Sequence, residues 1–289
     1  MKFFHVILLY LFLGVRLISP SSAQEFDEDA TEDSENNETS IYFKIGIGDL
    51  SMRDKTISSF VYNGGCNGVN LGFSHKRSAI RLGGNLGLYF STPVTLMREG
   101  FVYDDDWVHD TVNDIKGSEV PMTLIAFDAH LLFKINKNAQ SNWSIWTGAK
   151  IDYLHISKKF LILDHQNLTK ESYLTLNPML LLEFQPHSRH TFHYGLDASL
   201  VGYGSKSDQY NAKPFYFEKN DYYIDMYSVG GFTSFKNLAV VNSNLGYRFQ
   251  IGDHFALTAD YTFSYYRYTK PLEVRMVRQN FQLGVGVIF

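Results

Sequence analysis

From residue 41 onward the chain alternates between apolar and polar positions. In "IYFKIGIG" the residues Ile41, Phe43, Ile45 and Ile47 share one face, with Tyr42, Lys44, Gly46 and Gly48 on the other. "AIRLGGNLGLYF" sets Ile80, Leu82, Leu86, Leu88 and Phe90 against Arg81, Gly83, Asn85, Gly87 and Tyr89. "HFALTADYTFSYY" sets Phe255, Leu257, Ala259, Tyr261, Phe263 and Tyr265 against Thr258, Asp260, Thr262 and Ser264. A period of two is the strand signature, because successive side chains leave opposite faces of a sheet. The same rhythm over 67–75, 121–135, 143–155, 172–184, 191–203, 238–251 and 273–289 brings the predicted strands to ten. Most exceed the roughly five or six residues usual in soluble sheets and match the roughly 9–11 tilted residues that cross an outer membrane.

The connections alternate too. Long segments at 49–66, 92–120, 156–171 and 204–237 are separated by short ones at 76–78, 136–142, 185–190 and 252–253, and 268–272 is of medium length. The short ones hold turn residues: "HKRS", "NKNAQSN", "QPHSRH" and "GDH". Short turns at one end and long loops at the other are the plan of a membrane barrel. The expected fold is therefore all-β, a closed antiparallel transmembrane β-barrel of ten strands, with eight and twelve as alternatives. A soluble sandwich is the competing reading, since it shares the alternation.

Hydrocarbon decides between these readings. In it every backbone N–H and C=O needs an internal partner, so a sheet must close, with its apolar side chains outward and its polar ones inward. The apolar faces here carry essentially no charge through their middles. The opposite faces carry Lys44, Arg81, Asp128, His130, Lys134, Lys150, Asp152, His193, Asp197, Arg248 and Asp260, with Glu183 near one end. The balance of cations and anions predicts a lumen network of Lys44, Arg81, Asp128, His130, Lys134, Lys150, Asp152, Asp197, Arg248 and Asp260. In one reading it is a plug of paired charges, since buried charges must be paired. In the other it lines a narrow channel for water or small solutes. Trp143, Tyr153, Phe184, Phe192, Tyr194, Tyr247, Phe249, Phe255 and Tyr265 sit near strand ends, where aromatic girdles meet the interface.

Three domains are expected. Residues 1–23, "MKFFHVILLYLFLGVRLISPSSA", have one early cation, an apolar run and small residues before Gln24, the layout of a secretory signal peptide. Residues 24–40 carry eight carboxylates and no Lys or Arg, and are expected to be a disordered acidic tail. Residues 41–289 form the barrel. The chain has 26 Lys+Arg and 30 Asp+Glu; Lys2 and Arg16 fall in the leader and the eight carboxylates in the tail, so the barrel segment is nearly neutral, which gives no case for nucleic acid. Cys66 is the only cysteine, which excludes an internal disulfide and a cysteine zinc site. Neither a cofactor nor a metal is expected.

The closing "FQLGVGVIF", with Phe289 last, makes residues 41–289 resemble the small bacterial outer-membrane β-barrel, porin-like families. The resemblance implies a bacterial outer-membrane location with both termini periplasmic, outer-membrane lipid as surroundings, and a last strand read by the barrel-assembly machinery. The loops would meet small solutes or extracellular ligands. Within "VYDDDWVHDTVND", Asp104 and Asp106 before Trp107 are faintly similar to the aspartate pair of the omptin endopeptidases, and His109 is near. That family adds a His–Asp dyad on a later loop. Here that loop, "GYGSKSDQYNAKPFYFEKNDYY", offers Asp208 and no histidine, so the general base is missing. The leading expectation is a barrel without a catalytic site, a narrow porin or a surface-interaction barrel. An omptin-like surface hydrolase is the alternative. The same acidic loop, 104–114, is a weak candidate for Ca²⁺, since it has the carboxylates without the spacing of a known calcium loop.

Overall fold

A computed structural model describes residues 37–55, 61–95, 119–136, 142–162, 165–212, 222–270 and 273–289. Among them are β1 (Glu38–Asp54), β2 (Val61–Arg77), β3 (Ile80–Ser91), the two-residue β4 (Val94–Thr95), β5 (Met122–Lys134) and β6 (Trp143–Ile162). They are followed by β7 (His165–His187), β8 (His190–Ala198), β9 (Val201–Ala212), β10 (Tyr222–Ser234), β11 (Leu238–Ile251), β12 (Phe255–Tyr268) and β13 (Val274–Ile288). The leader and most of the acidic segment lie outside the described residues. Glu38, Thr39 and Ser40, expected in the acidic tail, instead open β1: Ser40 lies opposite both Ile288 and Ser74, and Arg248 holds the Glu38 carboxylate.

The sheet closes on itself. First and last strands pair from Ser40↔Ile288 to Asp54↔Val274, and neighbours follow antiparallel around the wall through β12, β11, β8, β7, β6, β5, β3 and β2. These ten strands make the closed antiparallel barrel. The long β7 serves two neighbours: Met179–His187 lies against β8, and Asn167–Leu176 against β9. A break at Ser199–Leu200 separates β8 from β9, and β9 and β10 form an extra hairpin that rises past the end of β11. At the short-turn end the ring is sealed by Phe289, whose N–H donates to the Thr39 carbonyl at 2.8 Å. Gly252, at φ 62°, takes the left-handed conformation that the tight β11–β12 turn needs and that a side chain would resist.

Each wall carries its apolar residues on the outside. Ile45 and Ile47 are 60% and 63% exposed, and Leu283 and Val285 57% and 58%, whereas the inward Asp260 and Gln282 are 1% and 3% exposed. This inversion of the soluble pattern suits a wall bathed in hydrocarbon. Near the short-turn rim, Trp143, Phe184, Phe192 and Tyr247 form a band of touching rings, with centroids 4.7, 6.5 and 4.9 Å apart in that order. Such a band is the interfacial girdle that amphipathic aromatics favour.

Toward the long-loop end the pattern reverses. On β1 the outward series turns from Ile41, Phe43, Ile45 and Ile47 to Asp49, Ser51 and Arg53, while the inward series turns to Leu50 and Met52, both 1% exposed. On β13, Arg275 faces out while Val274 and Met276 are buried; on β12, Tyr266 and Tyr268 are buried beside Arg267. The period of two continues while its phase flips, and the flip marks where lipid gives way to water. Most of the segments expected as the long connections 49–66, 156–171 and 204–237 are therefore strand: β1 runs on to Asp54, β6 to Ile162, and β9 and β10 occupy the last of them. Strands above the membrane obey soluble rules, and those rules break the continuity that an outward-apolar series leads one to expect.

Candidate functional site

The lumen has three storeys. The lowest, at the short-turn end, is a polar cavity of about 280 Å³. Lys44 Nζ meets Asp260 at 2.8 Å, and His193 Nε2 meets the other oxygen of the same carboxylate at 3.1 Å. Lys150 Nζ bridges Asp197 at 2.9 Å and Asp152 at 3.1 Å. The amides of Asn177 and Asn242 each donate to both of those carboxylates, at 2.7 to 3.0 Å, so four strands, β6, β7, β8 and β11, share one knot. Asn85 donates to Asp128 at 3.1 Å, with His130 at 3.8 Å. Nearest the rim, Glu183 accepts from Arg81, from Lys76 at 3.1 Å and from the Trp146 ring nitrogen at 2.9 Å. Arg248 grips Glu38 and donates to the Tyr42 hydroxyl at 3.2 Å.

Gly246 lets one of these contacts form. A Cβ there would overlap both the His193 ring and the Asp260 carboxylate, so the missing side chain is the space in which they meet. Gly246→Val is expected to lower stability by about 1–3 kcal/mol, the usual cost of overpacking a filled interior. Urea unfolding in phospholipid vesicles measures it. Adding His193→Ala should recover part of the loss because the two positions are in contact; a full, unrelieved loss in the double variant would place the strain elsewhere.

Above the cavity the lumen is apolar. Leu50, Met52, Tyr62, Cys66, Tyr89, Met122, Leu124, Ile156, Tyr173, Tyr266 and Met276 are all buried and pack together across the bore. Cys66, the free thiol, is one of these packed side chains. Arg278 lies over the Tyr89 ring at 4.2 Å, at the boundary between the two storeys.

The third storey, toward the long-loop end, is a quartet of charges without solvent contact. Lys158 Nζ lies 2.6 Å from Asp54 and 2.5 Å from Glu171; Lys206 Nζ lies 2.8 Å from Asp54 and 3.3 Å from Glu171. All four side chains have no exposure. The Tyr173 hydroxyl donates to the second oxygen of Glu171 at 2.9 Å. Burial alone would raise the Asp54 pKa, but the two ammonium groups outweigh it and hold the carboxyl well below the usual range. For Lys158, burial pulls downward and the two carboxylates overcome it, so the ammonium is held above its ordinary value.

Of the lumen charges expected from side-chain parity, Lys44 and Asp260 meet, Lys150, Asp152 and Asp197 meet, and Asp128 lies beside His130. Arg81 finds its anion in Glu183, expected near that end of the lumen, whereas Arg248 finds its anion in Glu38, from the segment expected as the acidic tail. Lys134 stands at the turn end of β5, forms no ion pair among the described residues, and is absent from the cavity wall. Asp104, Asp106 and His109, and the acidic loop 104–114, lie outside the described residues. Asp208 is on β9, its backbone between those of Thr169 and Tyr227. The quartet escaped the reading by parity because its members fell in segments read as loops. The signal was present, since Met52–Asp54 and Ile156–Lys158 continue the inward positions of their strands without a break.

No protein-family model matches the chain, and no curated protein matches it. Among solved structures, the outer membrane protease OmpT from Escherichia coli is similar at 7% identity and a TM-score of 0.52, over 90% of this chain and 99% of that one. The β domain of the Bordetella autotransporter BrkA is similar at 10% identity, TM-score 0.41, over 87% and 99%. OprG from Pseudomonas aeruginosa is similar at 7% identity, TM-score 0.37, over 88% and 97%. At such identities the likeness to OmpT speaks for the fold alone. Closed wall, outward apolar band and that likeness lead to one statement: the chain has the fold of the outer-membrane β-barrel proteins.

Proposed function

We propose that this chain is an outer-membrane barrel without a through-pore, a scaffold that holds its long-loop end, including the β9–β10 hairpin, above the membrane for surface interaction. In this reading both termini are periplasmic, and the last strand with Phe289 is what the barrel-assembly machinery engages. The observation that carries it is the pair of upper storeys: an apolar layer with exposures of 3% or less, capped by four charged side chains at 0%. An ion entering the polar cavity would have to shed its water in that layer, where the scattered tyrosine hydroxyls do not replace a full hydration shell. A porous reading would need these two storeys to part.

Planar-bilayer recordings on the refolded protein test this. Wild type is expected to show no discrete conductance steps. Thinning the apolar layer, with Tyr266→Ala and Tyr89→Ala together, is expected to produce them. Steps from the wild type would overturn the closed reading and restore the narrow porin.

A further inference from the structure

We propose that the outward face where β1, β13 and β12 adjoin, just above the apolar band, binds a phosphorylated lipid headgroup of the surrounding leaflet. Arg53, Arg275 and Arg267 are directly opposed across the three strands, Arg53↔Arg275 on one side and Arg275↔Arg267 on the other. Like charges set opposite one another in neighbouring strands repel, so a row of three guanidinium groups costs stability unless an anion lies against it. Among the described residues one carboxylate answers the row. Glu273 is 2.8 Å from Arg267 Nε, 2.7 Å from Arg275 Nη2 and 3.2 Å from Lys55 Nζ. The hydrogen bond from Arg275, foremost among these contacts, pulls its pKa down to about 2, so it is an anion at every working pH. Among the described residues four cations thus face one carboxylate. Arg53 forms no ion pair among the described residues, and its buried Nε has no hydrogen-bond partner. Below the row the nearest outward acid is Asp49, two outward positions down β1.

The height of the row selects the ligand. From Phe289 to Arg275 the last strand rises about 35 Å along the axis, at about 3.4 Å per residue and a tilt near 40°. A hydrocarbon core is about 30 Å thick and the whole bilayer about 40–45 Å. With Phe289 at one hydrocarbon edge, the arginines fall among the headgroups beyond the other. Beneath them the wall passes through Ser51, Val277 and Tyr265, then Asp49, Gln279 and Phe263, and from Ile47, Phe281 and Tyr261 downward it becomes a surface for acyl chains. Guanidinium forks over an acyl-binding wall fit a phosphate that carries lipid chains, and a free anion would use only the forks. The proposal rests on the membrane-spanning reading.

Native mass spectrometry of the full refolded protein in detergent, with diphosphorylated lipid A as probe, tests it. Wild type is expected to retain one lipid through detergent exchange, and Arg53→Gln/Arg267→Gln/Arg275→Gln to weaken retention about tenfold or more, as loss of several charge-assisted bonds implies. The control Lys159→Gln/Lys170→Gln removes exposed charge from β6 and β7 and should leave retention within about twofold, since scattered surface charge contributes little. Equal loss in both variants, no retention by wild type, or equal retention of lipid A stripped of both phosphates overturns the proposal. Inorganic phosphate that displaces the lipid at equal concentration also overturns it, by assigning the row to a free anion. Heat-modifiable gel migration reports folding of each variant; should the triple variant fail to fold, Arg53→Gln alone is expected to weaken retention about threefold, and an unchanged value rejects the site. Wild type that fails to insert into vesicles overturns the membrane reading and this proposal together, whereas lost retention in an inserted variant concerns the arginines only.

Discussion

Lys158→Met is expected to destabilise the barrel by about 3–5 kcal/mol, the cost of leaving a buried charge without its partner. In the wild type two ammonium groups face two carboxylates at 2.5 to 3.3 Å, the second Glu171 oxygen accepts from the Tyr173 hydroxyl, and none of the four touches solvent. Removing Lys158 leaves one of the quartet's two ammonium groups, Lys206, against Asp54 and Glu171 among the described residues, and the excess negative charge cannot move to water. The apolar chain of Met fills most of the vacated volume, so the loss is electrostatic rather than a cavity effect. Replacing Glu171 by Gln in the same chain removes the excess carboxylate charge and should return much of the stability. Urea midpoints in phospholipid vesicles measure both changes. A single variant that loses less than about 1 kcal/mol would mean the quartet is wet or already neutral, since only exposed pairs are worth so little.

The same quartet sets a pH signature. Asp54 is held below its ordinary value of 3.8, so its contribution to stability is present above that pH and lost as the pH falls further. Lys158 is held above its ordinary value of 10.5, so its contribution is complete below that pH and lost as the pH rises beyond it. Wild-type stability from this source is therefore flat between about pH 4 and pH 10, by the linkage of each shift to folding. Lys158→Met should behave oppositely within that window, gaining as the pH falls because a bound proton removes the excess charge. A deficit that is the same at pH 5 and pH 8 would argue against a buried, uncompensated carboxylate.

Leu257→Arg should cost about 2–4 kcal/mol, the penalty for a cation at mid-membrane on a barrel's lipid face. Leu257 is 46% exposed on β12, flanked in register by Val285 on β13 and Phe249 on β11. In a soluble protein an exposed leucine could become arginine almost freely, so the size of the penalty distinguishes lipid from water. Gln279→Arg, on the outward face of β13 near the phase flip, should cost only about 0–1 kcal/mol, since the penalty falls off toward the interface. Comparable costs at the two positions in vesicles would mean that the band does not lie in hydrocarbon.

The ten walls could be read from the sequence because hydrocarbon imposes the same period and phase on each crossing: Ile41 to Ile47, Leu86 to Phe90 and Phe281 to Phe289 all obey it. The register could not be read, so parity could place Lys150 and Asp197 inside the lumen without showing that they meet. Pairing across a bore depends on the stagger of every intervening strand. Lys206 and Asp54, 152 residues apart, are joined by the sum of those staggers.

What the chain determined by itself is therefore the closed all-β wall and the identity of its outer face, since both follow from local alternation against a uniform solvent. The tertiary structure alone decided the three storeys of the lumen, the partner of each inward charge, and the alignment of Arg53, Arg275 and Arg267 across one seam. Each of these depends on residues from distant strands being brought to one height, and height is set by tilt and register rather than by any local pattern.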